Sequence, residues 1–162
     1  MRLMKTIRIG LLAAFFCAVS YAQIGGGGHG IGPINGGGSG GSGTPTVHSF
    51  GATFDGGTSA LTSGKTVYFT VPYACTIAAW NIVVSPSGTA TIDIWKIASG
   101  TAIPTIANTI TASALPAIST GTAVHSTTLT GWTTAVTAND IVGINLNAVA
   151  TATYVSIQVQ CQ

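Results

Sequence analysis

The sequence predicts an all-β fold for residues 44–162, a β-sandwich of jelly-roll type with about seven or eight antiparallel strands. Three observations lead there. Threonine, a β-branched strand former, supplies 24 of the 119 residues from Thr44 onward. Short stretches alternate apolar and polar residues with a period of two. Each stretch stops at Gly, Pro, Asn or Asp, the residues that turn a chain.

The elements follow in order. "TVHSFGATF" is a first strand, closed by Asp55-Gly56-Gly57. In "KTVYFTV" Val67, Phe69 and Val71 alternate with Thr66, Tyr68 and Thr70, the pattern of a half-buried strand. Pro72 then removes a ladder donor, so the chain bends or lies at an edge there. "CTIAAWNIVV" is a third strand, with Trp80, Ile82 and Val84 on a core face, and it ends at Ser85-Pro86-Ser87-Gly88.

"TATIDIWKIA" is the fourth. Ile92 and Ile94 mark its core face, with Lys96 at the rim, while Asp93 and Trp95 point together away from the core. Residues 99–121 hold Pro104 and Pro116 and read as long loops or irregular short strands. "AVHSTTLT" is a further strand, "GWTTAVTAND" a loop, and "IVGINL" a strand. The last, "TYVSIQVQC", puts Val155, Ile157, Val159 and Cys161 on one face and Tyr154, Ser156, Gln158 and Gln160 on the other.

Ahead of this domain two segments stand apart. Residues 1–22 have the form of a secretory signal peptide: Arg2, Lys5 and Arg8, an apolar run from Ile9 to Val19, then Ser20-Tyr21-Ala22. The apolar run falls well short of the roughly 20 residues a membrane span needs. Residues 23–43 are a Gly-rich tract that reads as a flexible linker, since glycine at this density carries a large ordering entropy. The G-x-G-x-x-G and G-x-S-x-G matches inside it lack the strand and helix settings that give those motifs meaning.

Removal of the signal leaves Lys65 and Lys96 against Asp55, Asp93 and Asp140, a net charge of 2 − 3 = −1. Two lysines cannot neutralise the several phosphates a nucleic-acid partner presents, so nucleic acid is excluded, and so is an anionic membrane surface. Cys75 and Cys161 form an even pair in an exported chain and are a candidate disulfide; the alternative is two separate buried thiols.

The catalytic inventory is thin: no Glu, no Arg after the signal, three Asp, and the histidines His29, His48 and His125. Asp55 and Asp140 sit in turn contexts, no His pair has metal-ligand spacing, and no CxxC occurs. No catalytic residue, metal or cofactor is expected. Trp95 and Trp132, with Asp93, are the candidate ligand-binding residues, because an indole offers a flat apolar face and a polar N–H. The alternative for an outward tryptophan of this kind is cover by a loop or by a neighbouring subunit, the latter at the interface in sandwiches that form homotrimers.

The run from "LTSGKTVYFTVPYACTIAAWNIVV" through "GTATIDIWKIASGTAIP" to "STTLTGWTTAVTANDIVGINLNAVATATYVSIQVQC" resembles a domain of phage virion and tail-associated structural proteins. The likeness covers nearly all of residues 50–162. It implies a β-sandwich carried on a particle or surface, a cell-surface glycan or protein receptor as partner, and no enzymatic role. The signal peptide departs from that setting, since phage virion proteins assemble in the cytoplasm. The expected function is therefore an exported structural, adhesion or receptor-binding module, secreted, periplasmic or on the cell surface, and virion-associated if phage-encoded. The alternatives are a lectin-like carbohydrate binder using Trp95 or Trp132 and a small secreted hydrolase using the aspartates.

Overall fold

The computed structural model describes residues 46–100 and 102–162; the signal peptide and the glycine-rich tract lie outside the described residues. The described residues are all-β apart from one 3-10 turn, Ile106–Asn108. Nine strands occur in chain order: β1 (His48–Asp55), β2 (Lys65–Val71), β3 (Cys75–Ser85), β4 (Thr89–Ile97), β5 (Ala117–Ile118), β6 (Ala123–Ser126), β7 (Ala135–Val136), β8 (Asp140–Ala150) and β9 (Tyr154–Cys161).

Two antiparallel sheets make a sandwich. The first has the order β1-β9-β3-β6, with β7 also paired to β3, and the second has the order β2-β8-β4-β5. From β1 to β4 the chain changes sheet at every connection, so each sheet is built from strands distant in sequence. Alternation explains which side chains meet. Phe50, Ala52 and Phe54 from β1, Ile82 and Val84 from β3, and Val155, Ile157 and Val159 from β9 face Ile92, Ile94, Val142, Ile144 and Leu146 from the second sheet in one buried cluster.

Two features set β3 apart. Ile77 and Trp80 differ in parity yet both belong to the core, because the pairing with β9 slips between Ile77 and Ala79. A bulge of this kind resets the phase of a strand. At the head of β3, Cys75 is bonded to Cys161, their Cα atoms 5.6 Å apart and 86 positions apart in sequence. The bridge fastens the C-terminal strand to the start of β3 and contributes about 4–5 kcal/mol in the chain-entropy model.

Candidate functional site

Asp93 and Trp95 lie on the face of β4 turned away from the sandwich core: Trp95 is buried but stands outside the core cluster that holds Ile92 and Ile94. The expected direction is kept, but exposure to solvent is not. Asp93 retains 6% of its surface and Trp95 9%. The segment 109–111 runs along the free edge of β4, with an antiparallel bridge from Thr109 to Trp95 and the Ile110 N–H donating to the Ile94 carbonyl at 2.8 Å. Ile110 enters the core, while Thr109 and Thr111 turn to the side of Asp93.

The Asp93 carboxylate accepts three hydrogen bonds there. Trp95 Nε1–H donates to Oδ2 at 2.6 Å; the hydroxyls of Thr109 and Thr111 donate to Oδ1 at 2.6 and 2.7 Å. A buried carboxylate is tolerated only when its lone pairs are taken up in this way. The cluster fastens an irregular connection to a sheet edge, and it leaves Asp93 and Trp95 little open surface. Next to it, Gly143 pairs with Trp95 and Tyr68. A Cβ at Gly143 would lie 2.9 Å from the Tyr68 ring and 3.4 Å from Pro104, so the missing side chain lets this layer close over the sheet.

The other marked residues are likewise engaged. Trp132 is 9% exposed, and its Nε1–H donates to the Ala114 carbonyl at 2.8 Å. Lys96 does not reach out to solvent from the rim; its Nζ meets Asp140 Oδ2 at 2.8 Å, with side-chain exposures of 17% and 5%. Asp140 Oδ2 also accepts the Thr137 N–H at 2.8 Å, closing the turn before β8. Asp55 Oδ1 accepts the Gly57 N–H at 2.7 Å, the turn role its Asp-Gly-Gly context suggests.

The three carboxylates therefore share no partner. Asp93 pairs with Asn145 and Asp140 with Val71, five positions apart along β8. That spacing is roughly 17 Å along a strand, and the two side chains lie on opposite faces. Asp55 belongs to the other sheet. Glycoside hydrolysis by two carboxylates requires about 5–10 Å between them, closer than the spacing of Asp93 and Asp140 along the strand. No group of three or more His, Cys, Asp or Glu among the described residues is placed to hold a metal ion.

What remains open is the outer face of the first sheet, where a groove of about 480 Å³ crosses β1, β9 and β3. Its central row runs Gly51, Gln158, Asn81 across three strands and the next row Thr53, Ser156, Val83, with His125 and Ala123 continuing the two rows on β6 beyond the groove lining. Gly51 opens the groove: a Cβ there would strike the carbonyl oxygen of Ile157. Short side chains on β1 and taller amides on β9 and β3 give the face its relief. Asn81 Oδ1 accepts from His125 Nδ1 at 2.8 Å, and Gln158 Nε2 donates to Ser49 Oγ at 3.1 Å. Val83 is the one large apolar residue on the groove that is well exposed, at 46%.

Sequence reasoning named none of these groove residues as a site. The alternation of β9 does show Gln158 pointing outward, but only the register of β9 against β3 brings Asn81 beside it. Compared with known proteins, the chain matches no family model, no curated protein and no solved structure.

Proposed function

We propose that the chain is an exported, non-enzymatic recognition module, a jelly roll acting in adhesion or receptor binding on a surface or particle, as tail-associated structural domains do. The jelly-roll reading is supported by four nested antiparallel pairs, β1·β9, β2·β8, β3·β6 and β4·β5. One long hairpin of these four pairs, wound around the core, produces the two sheet orders observed.

The observation that carries the functional reading is how the polar groups are divided. All three carboxylates and the indole N–H groups of Trp95 and Trp132 are consumed by intramolecular bonds on or around the second sheet or in turns. The open groove crosses the first sheet and is lined by uncharged hydroxyls and amides. That chemistry suits reversible recognition, whereas acid–base catalysis needs titratable groups free to exchange protons.

The test is cell binding by the exported full-length chain carrying a fluorescent label, beside Ser156→Tyr, which fills the groove. Saturable binding abolished by Ser156→Tyr is the expected result. Absence of binding, or a hydrolytic activity lost in Asp93→Asn, overturns the proposal.

A further inference from the structure

The central row of the groove leaves a specific set of atoms unused. With Oδ1 of Asn81 accepting from His125 and Nε2 of Gln158 donating to Ser49, Asn81 Nδ2 and Gln158 Oε1 have no partner among the described residues. His125 continues the row on β6, beside Asn81. Gln158, Asn81 and His125 are direct neighbours on three adjacent strands. The free atoms of Gln158 and Asn81 thus set an acceptor beside a donor on neighbouring strands, about 5 Å apart.

We infer that this row is a binding site for a neutral glycan, an assignment that rests on the recognition role proposed above. A sugar hydroxyl both donates and accepts, so neighbouring hydroxyls answer such a pair in full. A phosphate or carboxylate only accepts and meets the Gln158 acceptor without a proton; an ammonium only donates and leaves the Asn81 amide unanswered. No charged residue lines the groove, so a charged ligand gains no ion pair to offset its desolvation. Val83 supplies the apolar patch against which the C–H face of a ring rests. A peptide is the less suitable occupant. Peptides are held by pairing to a sheet edge or by apolar pockets, and this groove crosses a sheet face whose central backbone groups are already paired.

The groove volume falls within the usual 300–1,000 Å³ of small-ligand sites. It holds no exposed aromatic platform, so single-site affinity is weak, and several copies on one surface would supply the avidity.

The test is NMR titration of the isotope-labelled, exported full-length chain with soluble glucan, galactan and mannan oligosaccharides, and with anionic alginate oligosaccharides in parallel. The expected result is that a neutral glycan shifts the side-chain amide signals of Asn81 and Gln158. Asn81→Ala and Gln158→Ala then each weaken binding about fivefold, the value of one neutral hydrogen bond. Ser156→Tyr abolishes binding while the signals of buried Val159 and Ile144 keep their positions. A silent neutral panel, a preference for alginate, binding that survives Ser156→Tyr, or a peptide displacing the glycan from this row overturns the assignment. Cell binding that Ser156→Tyr blocks, combined with a silent panel, refutes the sugar class alone; loss of cell binding altogether refutes the recognition role beneath it.

Discussion

Removing the Asp93 carboxylate is the perturbation whose cost can be worked most directly from the structure. In Asp93→Ala, Trp95 Nε1–H loses its acceptor inside the protein, while the hydroxyl of Thr111, which is 0% exposed, is left with the Thr109 hydroxyl 3.1 Å away as its one acceptor. Each stranded buried donor costs about 1–3 kcal/mol. Thr109 is itself exposed, so its hydroxyl turns to water at little cost. Relief of the desolvated charge offsets part of this, leaving a net loss of about 2–3 kcal/mol. For a domain of this size, a loss of that order lowers Tm by roughly 10–15 °C. Asp93→Asn keeps the volume but sets an amide N–H against one of the donors and costs about 1–3 kcal/mol. The assay is equilibrium denaturant unfolding followed by tryptophan fluorescence, with Thr111→Val as the second arm of a double-mutant cycle. The two single losses should exceed the double loss by about 1 kcal/mol, because they remove the same bond. Asp93→Ala within about 0.5 kcal/mol of the parent, or strict additivity with Thr111→Val, refutes the reasoning.

Three further outcomes are expected. Lys96→Met strands the Asp140 carboxylate and costs about 2–4 kcal/mol in denaturant unfolding, and Lys96→Met with Asp140→Asn recovers most of the loss because the amide oxygen still accepts from Thr137. Replacing both Cys75 and Cys161 by Ser lowers stability by about 4–5 kcal/mol, and thermal melts of the parent with and without reductant should differ by the matching amount. Gly51→Ala forces a Cβ against the Ile157 carbonyl and costs about 1–3 kcal/mol, while the outward Ser156→Ala beside it stays within about 0.5 kcal/mol of the parent.

How legible the molecule was depends on which interactions leave a local trace. Alternation is local, so the core faces of β4 and β9 could be assigned from the positions of Ile92, Ile94, Val155 and Val159 alone. Residues 99–121 carry no period, and Thr109 and Thr111 look like any other threonines there. Their role comes from lying along the edge of β4, a long-range fact that composition does not encode. The cover over Trp95 could not be assigned for that reason: its direction was readable, but the segment covering it was not. The bulge after Ile77 was also invisible, although the change of inward parity between Ile77 and Trp80 is a trace of it. The groove needed two registers at once, β1 on β9 and β9 on β3, before Gly51, Gln158 and Asn81 could fall into one row. Aromatic and charged residues attract notice in a chain so poor in both, yet scarcity drew them here into fastening the fold.

That division, fasteners around the second sheet and free polar groups on the first, is tested most directly by hydrogen exchange of the indole N–H groups of Trp95 and Trp132 in the native chain. Both are bonded and buried, so both should exchange only as slowly as the backbone amides of β4 and β8. Exchange at the rate of an exposed indole, with the sheet amides still protected, would place these rings in solvent and contradict the account.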